Sequence, residues 1–464
     1  MSAPPKSQLR QVLGLSYAQA MVGAVYAAST GGMFLIGYAL KLGAGDVQIG
    51  LLSSIPMLCV VAQMLSSLLV QHGASRRGVT VWASLANVGL WSLIILIPYV
   101  VPLQPPLLRM GVLIAVVTMV NWFGHMAGNA RGSWVGDLIP DRYRGRFFGR
   151  SGMYSSLIAS GFAICEGTFL DHVKDQGVAA FGWLFGFGMI FGLINVLLFL
   201  PQPDMPSGHE EEKPQFLTHV WASLCNKPLR AVMWFGSVWV MQAIAWPFYA
   251  TYILRDLKMP FLGLGILNAC GQVMAVISSP FWGKMVDRYG CRPVLTVCTC
   301  ALAPLPLVWL GMASLHTVYL VIPALNLFSG FMGGGIGVGL STLLYRVTPR
   351  IGRTVQFAVY ALVIVIAGAP MPTLGGYLPQ IFHTDLRITF ACQVFFLTLG
   401  TVLAIRLREE NCRSARLLAS HLPGHLWRSM TWWKRRGEQA GHDLAKPLDH
   451  ELDGQGGQDK PHQA

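Results

Sequence analysis

Charge is scarce in this sequence. Only 12% of its 464 residues are Asp, Glu, Lys or Arg, against roughly 25% in an ordinary soluble domain. Hydrophobic residues make up 53%, and the mean hydropathy is +0.50. So little charge cannot cover a soluble surface of this size, and so apolar a chain does not stay disordered. Site chemistry is also missing. The nine cysteines form no Cys-x-x-Cys pair and no Cys/His zinc spacing. Most lie in apolar runs, where Cys acts as a small hydrophobe. Neither Gly-x-Ser-x-Gly nor His-Glu-x-x-His occurs, so the motifs that mark hydrolases are not there. These absences predict no enzyme, no metal, no cofactor and no disulfide. The formal charge of +13 would suit nucleic acid, but the basic residues sit in short runs between apolar stretches. That is a membrane pattern, so no nucleic-acid partner is expected.

A helical span needs about 20 apolar residues. Twelve such stretches are predicted, near 12–40, 47–70, 78–101, 107–138, 149–171, 177–200, 229–254, 261–283, 293–314, 317–345, 354–378 and 387–406. No cleavable leader pattern precedes the first, which is read as a retained helix. The runs are too long for the short alternating strands of a barrel. With twelve spans both termini share a side, and 27 of the 34 Lys and Arg fall there. Six fall opposite, and Arg131 lies within the fourth span. The asymmetry predicts cytoplasmic termini in a plasma (cytoplasmic) membrane.

Residues 1–200 form a first six-helix bundle, 201–228 a cytoplasmic linker rich in Pro and Glu, and 229–406 a second bundle. The tail, 407–464, is basic and amphipathic over 412–437, which suits an anionic lipid surface, and polar beyond. The halves repeat each other. GKMVDRYGCRP (283–293) has a degraded counterpart in SLLVQHGASRR (67–77). IPDRYRGRFFG (139–149) has one in VTPRIGRTVQF (347–357). Matching loops six spans apart indicate a parallel repeat.

The loop at 283–292 resembles the signature of the major facilitator superfamily, Gly-x-x-x-Asp-Arg-x-Gly-x-Arg, at every fixed position. The resemblance covers roughly 10–406 and implies an all-α polytopic membrane protein of twelve transmembrane helices in two six-helix pseudo-repeats. It further implies that spans 1, 4, 7 and 10 line a central cavity and that the loop locks the outward-facing state. Gating candidates are therefore Gly283, Asp287, Arg288, Gly290 and Arg292, with Asp137, Arg144, Gly145 and Arg146 from the loop after span 4. The Gly-Pro-x-x-Gly-Gly element of many drug antiporters is missing from span 5. A related string, GAPMPTLGG (368–376), stands in span 11.

Titratable groups at membrane depth are costly and each needs a reason. Of the acidic residues only Glu166 sits well inside a span, and of the histidines only His125. A carboxyl in apolar surroundings is held neutral part of the time, as a proton carrier must be. Glu166 and His125 are the proton-coupling candidates, the alternative for Glu166 being a capped structural carboxyl. Asn121, His125 and Asn129 recur at i, i+4 along span 4 as either a cavity wall or helix–helix glue. Arg131 points away from that stripe and is given a structural role. Gln242, Trp246, Asn268, Gln272 and Asn326 complete the candidate substrate contacts. Tyr249 and Tyr252 are read as packing or interface residues.

A cavity of Asn, Gln, His and Trp suits a neutral or zwitterionic small-molecule solute, since phosphates and dicarboxylates would call for paired Arg or Lys. The expectation is a secondary active transporter, monomeric in the lipid bilayer, working by alternating access, with protons as the candidate coupling ion. The alternatives are a non-transporting membrane sensor or assembly factor on the same fold, or a multidrug efflux antiporter.

Overall fold

The computed structural model describes residues 6–102, 106–139, 141–204, 221, 223–310, 315–348, 353–383, 385–409, 414–422 and 425. Among the described residues there is helix and no strand. Span 1 is Lys6–Thr30 and Gly32–Lys41, broken at Gly31. Span 2 is Asp46–Leu58 and Ala62–Gln71, joined by a 3-10 turn at Cys59–Val61. Spans 3 to 6 are Arg76–Val100, Pro106–Leu138, Asp141–His172 and Ala179–Leu197. Span 7 is Lys227–Met241, a 3-10 turn Gln242–Ile244, Trp246–Thr251 and a π turn Tyr252–Asp256. Span 8 is Phe261–Tyr289, span 9 is Cys291–Leu302 with Leu305–Leu310, and span 10 is Leu315–Val347. Span 11 is Arg353–Gly368 with Met371–Ile381, and span 12 is Arg387–Arg406.

Eleven of these are long and apolar enough to cross a bilayer. The remaining one is span 5. Its 32 residues give ample length, but Ser151, Ser155, Ser156, Ser160 and Glu166 dilute its apolar run.

Each pairing in the first half recurs six spans later. Span 1 packs on spans 5 and 6, as span 7 does on 11 and 12. Span 4 packs on 2 and 3, as span 10 does on 8 and 9. The two halves meet through the pairs 5–8 and 2–11, which the same repeat relates.

At the end away from the chain termini, the far end, one buried core runs through both halves. Phe34, Tyr38, Ile49 and Phe181 of the first half join Phe248, Tyr252, Leu264 and Phe390 of the second. Toward the terminal end the cores separate. Leu13, Trp134, Phe147 and Phe199 serve the first half, and Trp282, Val294, Leu343 and Leu418 the second. Lipid tails are as apolar as these side chains, so close backbone packing and hydrogen bonds must hold such helices together. The crossing of spans 5 and 8 shows it. A β-carbon at Gly167 would stand 2.6 Å from the Phe261 carbonyl oxygen, and one at Gly265 only 2.9 Å from the Ala163 carbonyl carbon.

The chain leaving span 12 folds back on the second half. Glu409 accepts backbone hydrogen bonds from Cys291 (3.0 Å) and Arg292 (2.7 Å), capping span 9. It also pairs with Arg346 at 2.6 Å. Leu418 is fully buried in the second-half core, and Tyr289 hydrogen-bonds His425 at 2.9 Å. The first part of the amphipathic stretch thus packs on protein. The linker from 205 to 220 and the tail beyond 425 lie outside the described residues.

Candidate functional site

Five sequence-selected residues come together. Gln242, Trp246, Asn268, Gln272 and Asn326 line one cavity of about 490 Å³ bounded by spans 7 to 10 and 12, with Met33 of span 1 on its rim. The 3-10 turn that interrupts span 7 sets Gln242 into this wall. Gln393 of span 12 faces it, its amide nitrogen donating to Gln242 Oε1 at 3.4 Å, and Tyr249 donates its hydroxyl to Gln393 Oε1. Gln272 donates to Asn268 Oδ1, and Asn326 is held to its own helix through Ile322 O at 3.0 Å. Tyr249 stacks on Phe390 and tilts against Trp309, both at 4.7 Å between ring centroids. Among the described residues, no Asp, Glu, His, Lys or Arg lines this cavity.

Gln393 was not visible as a candidate, being one amide in an otherwise apolar span. Tyr249, read as packing, does pack, and its hydroxyl also anchors the cavity's amide network.

The span 4 stripe is not at this cavity. His125 bonds the Pro56 carbonyl through Nε2 (2.7 Å) and lies 3.3 Å from Gln63 Nε2 through Nδ1. Asn129 donates to Gln63 O (3.0 Å) and Ser67 Oγ (2.9 Å). Asn121 donates to Val117 O within its own helix. The stripe faces span 2 beside its 3-10 turn, where the change of helical register leaves carbonyls to be satisfied. A 3.6 period puts three residues on one face but does not say which neighbour that face meets.

Glu166 is buried, with 4% exposure. Ser29 of span 1 donates to its Oε1, and Oε2 has no partner. It stands between spans 1 and 5, one residue before Gly167 at the crossing with span 8.

The far end carries contacts between the halves. Asp171, ending span 5, accepts from the backbone N–H groups of Phe261 (2.8 Å) and Leu262 (2.7 Å), the first residues of span 8. Asp46, starting span 2, pairs with Arg255 of span 7 at 2.6 Å. Ser54 and Thr373 share a hydrogen bond of 2.8 Å between spans 2 and 11. None of these partners carries a motif, so sequence reasoning missed them.

At the terminal end, Gly290 turns the chain between spans 8 and 9 with φ +98°, a conformation open to glycine. Asp287 is exposed and makes no hydrogen bond or ion pair among the described residues. Arg288 lies over the Tyr289 ring at 5.6 Å, and the Arg292 backbone is bound by Glu409. Gly283 has open space where a β-carbon would stand. The side chains of Asp137, Arg144 and Arg146, and Gly145 with them, lie outside the described residues.

Residues 235–417 match the Major Facilitator Superfamily. No curated protein sequence matches the chain. A mutant of the nucleoside transporter NupG superposes with a TM-score of 0.68 at 13% identity, covering 87% of this chain and 100% of its own. The D-xylose-proton symporter gives 0.64 at 14%, covering 86% and 97%. A bacterial homologue of the iron transporter ferroportin, in its inward-facing state, gives 0.64 at 14%, covering 87% and 99%. Identities this low carry the fold and not the substrate. The chain thus shares its fold with these transporters, and its residues 235–417 also match the Major Facilitator Superfamily in sequence.

Proposed function

We propose that this protein moves a small uncharged or zwitterionic organic solute across a membrane by alternating access, binding it in the cavity of the second half. The observation that carries the substrate class is the cavity's chemistry. Five side-chain amides and the rings of Trp246, Tyr249 and Trp309 line it, and no ionised group among the described residues does. Amides both donate and accept, and aromatic faces take flat or ring-shaped apolar surfaces. Nucleosides and sugars, the solutes named for two of the similar structures, have this mixture of hydroxyls and ring faces.

With cytoplasmic termini, the continuous far-end core and the divided terminal-end cores correspond to an inward-facing state. Asp171, Asp46 and the Gly167–Gly265 crossing then form the outer gate. Asp287, which makes no hydrogen bond or ion pair among the described residues, then binds the other half when the inner side closes.

Proton coupling is assigned to Glu166 rather than His125, because both His125 nitrogens are engaged with span 2. Glu166 bridges span 1 and span 5 directly behind the outer gate. A change in its proton occupancy would act on the Ser29 contact and so on how the two spans pack.

The test is a thermal-shift screen of the purified protein with nucleosides, sugars and amino acids, followed by flux of the stabilising solute in proteoliposomes. Saturable flux supports the proposal. Stabilisation without flux would favour a sensor on the same fold. Reporters after residue 210 and at the C-terminus should both read cytoplasmic.

A further inference from the structure

The first half holds a second cavity, of about 560 Å³, among spans 1, 4, 5 and 6. Its chemistry is unlike that of the cavity above. Arg131 lines it, and among the described residues no Asp or Glu does. The Arg131 guanidinium lies over the Phe199 ring at 5.5 Å and makes no hydrogen bond or ion pair among the described residues.

Other polar groups at the same wall are also unused. Ser16 is 1% exposed, and its hydroxyl has no partner. Asn195 donates to Gln19 O at 3.3 Å, while its Oδ1 has no partner. Ser151 lines the cavity beside them and makes no hydrogen bond among the described residues. A buried hydroxyl left unbonded and a guanidinium left unpaired at membrane depth are each costly. Here they border the same space, together with Gly128 and Gly132, which leave it open.

We propose that this cavity is a second binding site, for the carboxylate of a small organic monoanion. Arg131 supplies a planar fork that matches a carboxylate, and the Ser16 and Ser151 hydroxyls add donors. One guanidinium balances one negative charge, which favours a monocarboxylate over a phosphate or a dicarboxylate. The unpartnered Asn195 Oδ1 is an acceptor, so a ligand with a hydroxyl beside its carboxylate satisfies one more group than one without.

The site is tested by thermal unfolding of the full chain in detergent, titrated with sodium lactate, sodium acetate, sodium chloride and sodium sulfate at matched ionic strength. Lactate should raise the midpoint saturably, acetate less, and chloride and sulfate not at all. Arg131→Gln should weaken lactate binding at least tenfold, and Arg131→Lys and Ser16→Ala several-fold. Arg230→Gln, which removes an exposed arginine elsewhere, should leave it unchanged. No saturable rise, or a full response in Arg131→Gln, would overturn the proposal. Sulfate matching lactate would overturn the carboxylate assignment in favour of inorganic anions or lipid phosphates. If Arg131→Gln does not fold, Arg131→Lys and Ser16→Ala decide by the same criterion. The measurement involves no flux, so its outcome is separate from that of the transport reading.

Discussion

The carboxylate of Asp171 accepts a 2.8 Å hydrogen bond from the backbone N–H of Phe261. One half of the molecule thereby caps the first helix turn of the other. A helix N-terminus leaves N–H groups unpaired and carries a partial positive charge, so an anion there is stabilising. The cap joins span 5 to span 8 and can form only while the far end is closed.

Replacing Asp171 should shift the balance of states rather than unfold the protein. Loss of a cap costs about 0.5–2 kcal/mol, so Asp171→Ala should raise the far-end-open population roughly two- to thirtyfold. Distances between spin labels at Lys174 and Lys258, both exposed, would report it. Asp46→Ala should act in the same direction but more weakly, because the Arg255 side chain of that pair is 40% exposed and exposed pairs contribute little.

Gln393 spans the cavity's amide network, bonded to both Gln242 and Tyr249. Gln393→Ala removes a group that fixes Gln242 and leaves the Tyr249 hydroxyl without its partner. Lost buried hydrogen bonds cost about 1–3 kcal/mol, so solute affinity should fall roughly five- to 150-fold, read as a rise in Kd with the fold retained.

Glu166→Gln keeps the shape of the side chain and mimics its protonated form. The variant should still bind solute and exchange it across the membrane, yet lose accumulation driven by a pH gradient. Counterflow and gradient-driven uptake in the same proteoliposomes separate the two. Normal accumulation would remove Glu166 from the coupling step.

Asp287 is exposed and makes no hydrogen bond or ion pair among the described residues with the far end closed. Asp287→Asn should therefore leave thermal stability in this state unchanged while slowing flux, because the contact it removes belongs to the opposite state. Unchanged flux would mean that the loop is only a turn.

The spans themselves were legible because each apolar run is bounded by charge or turn residues. Predicted limits of 107–138 and 387–406 meet Pro106–Leu138 and Arg387–Arg406 in the structure. Gln242, Asn268, Gln272 and Asn326 were legible as polar residues that lipid would not accept. The direction of the span 4 stripe was not, because His125 and Asn129 could equally face a cavity or the span 2 turn. Nor were Asp171, Asp46, Arg255 and Glu409, whose partners lie 63 to 209 residues away in pairings that only the assembled fold creates. Ser29 was invisible for the same reason.

The central claim is that solute crosses by closing and reopening the far-end gate. The most direct measurement compares solute flux in proteoliposomes between wild type and Gly167→Leu. Any side chain at 167 would collide with the Phe261 backbone, whose carbonyl oxygen lies 2.6 Å from the β-carbon position. The gate should then be unable to close. The account predicts a folded variant that elutes like wild type, shows increased labelling of cysteines placed at the far end, and transports nothing. Wild-type flux from Gly167→Leu, with unchanged far-end labelling, would contradict it.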